Sequence, residues 1–244
     1  MSFFSLDWSV PENISFLTTT RNGGVSKSPF DQFNLAFHVN DDSKHVIANR
    51  ALLHNQLPAK AIWLAQIHSN KVIEITADSD LNLIEAADAL YTKEKNIPLA
   101  IMTADCLPIF LTDIDGTQVG AIHAGWRGLS AGIIESTLAC FSGEMSNITA
   151  CFGPAIGPDH FEVGEDVVAA FSQMNIPYLQ AFKATKRGKY LANIFLLAQL
   201  ILNKFGITCI ANQQLCTFSQ SDLFYSYRRE NLTGRMASII WITQ

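Results

Sequence analysis

The segment LAIMTADCLPIFLTDIDGTQVGAIHA, residues 99–124, decides the fold. Apolar, β-favouring runs at 99–102, 109–112 and 119–123 read as strands. Asp113-Ile114-Asp115-Gly116 supplies turn chemistry between the last two, so they form a hairpin. Gly125-Trp126-Arg127-Gly128 follows and opens a helix expected over 129–141. A strand, a glycine-bearing loop and a helix start in that order leave unpaired N–H groups facing the loop, an anion-ready geometry. Working outward, residues 14–20, 61–65, 72–76, 148–152, 207–211 and 237–242 carry strand patterns. A helix is expected over 44–57, with Asp41-Asp42-Ser43 offering caps and Pro58 beyond its end. Another, over 191–205, repeats Leu191, Phe195, Ala198, Leu202 and Phe205 at helical spacing and stops at Gly206. There is no regular βαβ rhythm, so the pattern favours an α+β fold over a doubly wound sheet. Nothing reads as a linker or repeat, so residues 1–244 are expected to form one domain.

The 244 residues are 48% hydrophobic and 16% charged, which excludes disorder. A chain of this mass folds to a surface of about 11,000 Å² and buries about 70% of its extended surface. Lys and Arg number 17 against 22 Asp and Glu, a formal charge of −5, so no global field draws nucleic acid or an anionic membrane. Any anion site must be local. The start, MSFFSLDWSVPENISF, lacks a basic region and does not read as a signal peptide. No window reaches the length of a membrane span. The five cysteines are odd in number and form no CxxC, which points to a reducing, cytoplasmic compartment. Each reads first as a small buried hydrophobe.

Three segments place a metal-competent ligand at a strand end: His68 in Gln-Ile-His-Ser, Cys106 in Thr-Ala-Asp-Cys-Leu-Pro and His123 in Ile-His-Ala-Gly-Trp. Two imidazoles and a thiolate suit Zn²⁺ and leave a fourth position open. The alternative is a buried cysteine and two hydrogen-bonded histidines, because only the fold could assemble ligands so far apart in sequence. Asp105 reads either as an acid/base or ligand-holding carboxylate, or as the cap of a turn. Trp126 and Arg127 could stack a planar ligand and pair with phosphate, or form an ordinary helix-start loop. Arg21, beside two glycines, could bind an anion or make a surface salt bridge. Arg228 and Arg229 would face opposite sides of a strand, so at most one need be functional. Asn34, His38 and Asp41 lie in an aperiodic segment that could equally be a structural loop. His45 and His54 fall in the expected helix, and His160 sits in a loop with no role assigned.

Together these motifs resemble the laccase-domain family, YfiH-like and polyphenol oxidase-like proteins regarded as purine nucleoside phosphorylases. The resemblance runs through Thr-Thr-Arg-Asn-Gly-Gly-Val-Ser from Thr19, Asn-Leu-Ala-Phe-His-Val-Asn-Asp-Asp from Asn34 and Gln-Ile-His-Ser from Gln66. It continues through Ala-Asp-Ala-Leu-Tyr-Thr from Ala87, Thr-Ala-Asp-Cys-Leu-Pro from Thr103 and His-Ala-Gly-Trp-Arg-Gly from His123. Gly-Pro-Ala-Ile-Gly-Pro from Gly153, Phe-Glu-Val-Gly from Phe161, Phe-Tyr-Ser-Tyr-Arg-Arg-Glu from Phe224 and Thr-Gly-Arg from Thr233 complete it. Two positions depart from the family pattern: Ser69 stands where a glycine is usual, and Asn193 where an aspartate opens the late helix.

The resemblance implies a single compact α+β domain with mixed β-sheets and helices packed outside. It implies zinc held by His68, Cys106 and His123, with copper as the other candidate. It also implies phosphorolysis of adenosine, inosine and S-methyl-5′-thioadenosine, together with adenosine deamination. In that setting His68, Cys106, His123 and Asp105 are the expected catalytic set, and Arg21, Asn34, Trp126, Arg127 and Arg228 the expected substrate and phosphate contacts. The expected partners are purine nucleosides and phosphate, with no nucleic acid or membrane, for a monomer or weak dimer. A multicopper laccase needs more imidazoles than the six present, and no His-x-His pair occurs. Cu²⁺ at the one His/Cys site could give weak oxidation. Two other classes stay open: a thiol hydrolase with Cys106 as nucleophile, for example in peptidoglycan editing, and a non-catalytic cell-wall partner.

Overall fold

The computed structural model describes residues 3–80, 82–83, 85–186 and 188–243; Met1 and Ser2 of the N-terminal stretch lie outside them. The first strands are β1 (Phe3–Phe4), β2 (Ile14–Thr19), β3 (Val72–Ile75), β4 (Ala89–Thr92), β5 (Leu99–Thr103), β6 (Leu107–Asp113) and β7 (Val119–Ala124). They are followed by β8 (Ile148–Phe152), β9 (Glu162–Val163), β10 (Phe182–Ala184), β11 (Tyr190–Ala192), β12 (Ile210–Asn212) and β13 (Met236–Ile242). The α-helices are α1 (Ser43–His54), α2 (Trp126–Ser130), α3 (Ile133–Leu138), α4 (Glu165–Ala170), α5 (Ile194–Lys204) and α6 (Tyr227–Glu230).

The strands pair as a four-stranded sheet β1-β2-β13-β5, a six-stranded sheet β12-β8-β6-β7-β4-β3 and a small sheet β10-β11-β9. The pairs β12–β8 and β3–β4 are parallel and the others antiparallel. The expected hairpin is β6–β7, with Thr112 opposite Val119 and Leu107 opposite Ala124. Its turn is closed by Asp113, whose carboxylate accepts from the Thr117 N–H at 2.7 Å, and by Gly116 at a φ of 65°.

Side-chain alternation sorts the layers. Leu107, Ile109 and Leu111 of β6 join the core beneath α2, α3 and α5, whereas Phe110 joins the core between the two large sheets. Ile240 and Ile242 of β13 face that inter-sheet core, and Ala237, Ile239 and Trp241 pack with Phe33, Leu35 and Leu53 of α1 on the other side. The order is helix, sheet, sheet, helices, an α+β fold of mixed sheets with helices outside. The accessible surface of 10720 Å² matches the area scaling for one compact domain of this mass.

Several elements differ from the sequence expectation. Residues 61–65 form no ladder, because the segment changes partner: Ile62 bridges Leu99 and Ala65 bridges Ala86. The helix expected over 129–141 begins at Trp126 and breaks at Gly132, whose φ is 89°. The five residues of α2 are too short a helix to supply the anion-ready terminus expected there. Helix α5 starts later than Leu191, which belongs to β11, and Asn193 caps it by accepting the Leu196 N–H at 3.0 Å. Asp42 caps α1 by accepting from the Lys44 N–H. The last parallel strand covers Ile210–Asn212 instead of starting at Ile207. Arg228 and Arg229 lie on α6, not on a strand. Of the cysteines expected to be packing residues, Cys151 is buried and Cys140 and Cys216 are half-buried, but Cys209 is exposed; all five are free thiols.

Candidate metal centre and its cavity

β6, β7 and the loop preceding β3 deliver the three expected ligands to one point. The ligand atoms of His68, Cys106 and His123 lie within 4.8 Å of one another, and Cys106 Sγ is 3.8 Å from His68 Nε2. A tetrahedral zinc with bonds of about 2.0–2.3 Å separates its ligands by roughly 3.5 Å, so the donor set and spacing fit such an ion. Gly125 makes this approach possible. A Cβ there would sit 3.0 Å from Cys106 Sγ and 3.1 Å from a His68 ring carbon.

Asp88, which the sequence reading did not single out, organises the cluster. It is fully buried immediately before β4. Its Oδ1 lies 2.8 Å from His123 Nδ1 and accepts the His68 N–H at 2.9 Å; its Oδ2 accepts the Ser69 N–H at 2.6 Å and hydroxyl at 2.8 Å. One carboxylate therefore fixes the tautomer of one histidine and the backbone of the other. It also holds His68 at a φ of 60°, a left-handed conformation unusual outside glycine. The signal was present in Ala-Asp-Ala-Leu-Tyr-Thr, but nothing in the spacing ties residue 88 to residues 68 and 123. Ser69, one of the departures from the family pattern, gives that carboxylate a hydroxyl donor.

Electrostatics follow from the same contacts. Burial would raise the Asp88 pKa, but the bonds from His123 and Ser69 outweigh it and hold it down at about 2. Burial would likewise push the Cys106 thiol up, yet His123 and His68 bring it down to about 6. Against its own burial, His123 is raised to about 9 by Cys106 and Asp88. The pair is a thiolate beside an imidazolium, and a cation binding there must displace the imidazolium proton.

The cluster lines a cavity of ≈ 610 Å³ that also takes in Trp126, Arg127, Phe161, Tyr227, Arg228 and Arg235. The Arg127 guanidinium lies 4.4 Å over the Trp126 ring. Arg228 donates to the Glu162 carbonyl at 2.9 Å and lies 5.6 Å over Phe161. Neither Arg127, Arg228 nor Arg235 forms an ion pair with a carboxylate among the described residues. Arg229, the other member of the arginine pair, points into the structure and donates to the Thr217, Phe218 and Phe224 carbonyls. Asp105 also borders the cavity, but its carboxylate accepts from the Thr217 hydroxyl and from the Arg228 backbone N–H, each at 2.6 Å. It accepts an N–H from the first turn of α6, which Ser226 caps, and sits at a φ of 97°.

Two expected substrate contacts lie elsewhere. Arg21 pairs with Glu230 at 2.8 Å, donates to the Asp31 and Ser221 carbonyls and stacks on Tyr225, so Nε and one terminal nitrogen are engaged away from the cavity, whose lining does not include it. Asn34 is buried, bonding Ala36, Asp41 and the backbone of Arg235. His38 and Arg235, which the sequence reading left without a role, both line the cavity.

Comparison with known proteins agrees with this geometry. The family described as "Multi-copper polyphenol oxidoreductase laccase" matches residues 15–243. The chain is 46% identical to a Haemophilus influenzae protein named purine nucleoside phosphorylase, with 99% of each covered. It is 42% identical to the Escherichia coli protein named purine nucleoside phosphorylase YfiH, with 96% of each covered. Among solved structures, a Neisseria meningitidis protein of the DUF152 family superimposes with a TM-score of 0.94 at 41% identity, covering 99% of both chains. YlmD from Geobacillus stearothermophilus superimposes with a TM-score of 0.84 at 29% identity, covering 96% of this chain and 93% of that one.

Proposed function

The chain belongs to the family described as multi-copper polyphenol oxidoreductase laccase, and from that premise we propose that it is a zinc-dependent purine nucleoside phosphorylase. Adenosine, inosine and S-methyl-5′-thioadenosine are the proposed substrates. The observation that carries this reading is a His–Cys–His cluster set in a cavity of ≈ 610 Å³ whose guanidiniums have no carboxylate partner among the described residues. That size falls in the roughly 300–1,000 Å³ range of small-molecule sites. The relatives' name, purine nucleoside phosphorylase, supports the substrate class.

In phosphorolysis a phosphate oxygen bonds to C1′ of the ribose as the glycosidic bond breaks, and its electron pair leaves on the purine, which takes up a proton. Arg127 and Arg228 bind the phosphate dianion by charge-assisted hydrogen bonds. Arg228 is held in place by its bonds to the Glu162 carbonyl and, through its N–H, to Asp105. Asp105 is accordingly a positioning residue. Trp126, half-buried on the cavity wall, offers the purine an aromatic contact. His68, Cys106 and His123 would hold the ion, and Asp88 fixes the His123 imidazole and the His68 backbone. A divalent ion there supplies Lewis-acid polarisation of the departing base or of an oxygen nucleophile. The same chemistry would suit hydrolysis at C6, in which a water oxygen bonds to C6 and the amino group leaves as ammonia, so adenosine deamination is part of the proposal.

The copper-oxidase reading of the family name stops at one ion. The chain's six histidines are His38, His45, His54, His68, His123 and His160, and only His68 and His123 meet. Ligands for a multinuclear cluster are lacking among the described residues, although copper could take the single site.

A second reading has an observation of its own. Asp88, His123 and Cys106 line up as carboxylate, imidazole and thiol, the arrangement of a thiol hydrolase. Turnover of inosine and adenosine with and without phosphate separates the two. Base release that requires phosphate, and that disappears in His68→Ala, supports the phosphorylase. Hydrolysis that survives excess chelator supports the thiol enzyme. The free cysteines fit a reducing compartment, and we place the enzyme in the cytoplasm; no helix of the described residues is long and apolar enough to cross a membrane.

A further inference from the structure

Arg235 and Asn34 have no part in the chemistry so far, yet the fold spends much of its local structure on placing one of them. Met236 pairs with Thr103 across the β13–β5 ladder, which sets Arg235 one step from the Asp105–Cys106 turn. The Arg235 N–H donates to Asn34 Oδ1 at 3.0 Å, and its carbonyl accepts the Leu35 N–H at 3.3 Å. Asn34 is itself fixed by donating to the Ala36 carbonyl at 3.1 Å and to Asp41 at 2.9 Å. Gly234 lets the chain pass between them: a Cβ there would come within 2.7 Å of the Tyr225 ring and 2.9 Å of Asn34 Cβ. Three neighbours thus hold the Arg235 backbone in one position beside the cavity.

The side chain is only partly satisfied. One terminal nitrogen donates to the Thr233 and Gly234 carbonyls at 2.9 and 3.0 Å. The other terminal nitrogen and Nε have no hydrogen-bond partner among the described residues, and the guanidinium sits 5.7 Å over the Tyr227 ring. It is half-buried and lines the cavity with Cys106, and no carboxylate pairs with it among the described residues. Burial disfavours its charge, and Cys106 and Asp105 offset part of that cost. Arg229 shows the contrast, with both terminal nitrogens bonded to backbone carbonyls. A placed, partly desolvated guanidinium with free donors facing a cavity is a half-built oxyanion site.

We propose that Arg235 binds an oxyanion, inorganic phosphate in the reaction above, at the Cys106 end of the cavity. The identity of that oxyanion rests on the phosphorolysis reading. The test uses zinc-loaded protein and two substitutions, Arg235→Gln, which removes the charge, and Arg235→Lys, which keeps it without the fork. A charge-assisted hydrogen bond contributes about 1.5–3 kcal/mol, so Arg235→Gln is expected to raise KM for phosphate about 10- to 100-fold. KM for inosine, zinc content and melting temperature stay as in the parent, and Arg235→Lys recovers part of the loss. An unchanged KM for phosphate, or an equal rise in both KM values, overturns the proposal. Calorimetric titration with inorganic phosphate alone gives an independent readout. If the parent enzyme shows no phosphate-dependent cleavage, the phosphorylase reading fails, and calorimetry still decides on Arg235: heat lost in Arg235→Gln sustains the site, and equal heat refutes it. If Arg235→Gln does not fold, Arg235→Lys decides in the same way.

Discussion

On the cavity lining, His68, Cys106 and His123 come from strand ends and a loop gathered on one buried carboxylate, Asp88. Along the same lining, Arg127 and Arg228 come from two short helices and Arg235 from the residue before β13, and the hydrogen bonds that hold Arg228 and Arg235 run to backbone carbonyls. The metal cluster is set by sheet register and has little room: a Cβ at Gly125 would lie 3.0 Å from Cys106 Sγ and 3.1 Å from the His68 ring. The three arginines have no carboxylate partner among the described residues. The site thus combines a rigid centre, which demands geometry, with an anion wall, which demands mainly positive charge.

Removing a ligand should break the rigid centre most. Cys106→Ala or His123→Ala is expected to abolish stoichiometric metal binding and lower kcat/KM by about 10³-fold or more, since Lewis-acid stabilisation contributes several kcal/mol. Metal analysis alongside phosphate-dependent inosine cleavage checks it; full activity without metal would show that the cluster is not the centre. Asp88→Asn comes next, weakening metal affinity by about 10- to 100-fold in chelator competition, because the charged acceptor that orients the His123 ring and holds the His68 backbone is lost.

The pH response sharpens the same contrast. Metal binding needs the thiolate and a neutral His123. Affinity should therefore fall as pH drops from about 9 towards about 6, where the imidazole proton must be displaced, and fall more steeply below about 6, where the thiol proton must leave too. In the metal-free fold the two groups act in opposite directions: Cys106, with its lowered pKa, contributes stability that is lost as pH falls through about 6. His123, with its raised pKa, contributes stability that is lost as pH rises through about 9. Metal titrations and melting curves across that range check both directions.

Arg127→Ala, on the anion wall, should raise KM for phosphate about tenfold at low salt and less at high salt, since its exposed charge is screened. Arg21→Ala gives the smallest functional effect. With its donors on Glu230 and two carbonyls, its loss should destabilise the fold by about 1–2 kcal/mol and leave KM for phosphate unchanged, as read by thermal unfolding and kinetics.

The two groups were also unequally legible in the sequence. His68, Cys106 and His123 stood out because few residue types can bind a soft metal, and their strand-end placement survived in the fold. The β6–β7 hairpin was equally plain, since its apolar runs flank a turn rich in aspartate and glycine. Asp88 was not legible, because a carboxylate before a four-residue strand looks like any turn residue until β4 and β7 pair. Among the arginines, identity says nothing about which donors are already spent. Arg21 and Arg228 look alike in sequence, yet one is consumed by Glu230 and the other faces the cavity. Arg235 became visible only through the β13–β5 register. The small sheet of β9, β10 and β11 escaped because strands of two or three residues carry no periodic signal.

The most direct test is formation of ribose 1-phosphate from inosine by the zinc-loaded protein, with and without phosphate, compared with His68→Ala. Stoichiometric ribose 1-phosphate and hypoxanthine are expected only when phosphate is present, with loss of both products in the variant. Free ribose formed at the same rate without phosphate, or undiminished turnover in His68→Ala, would contradict the phosphorylase reading.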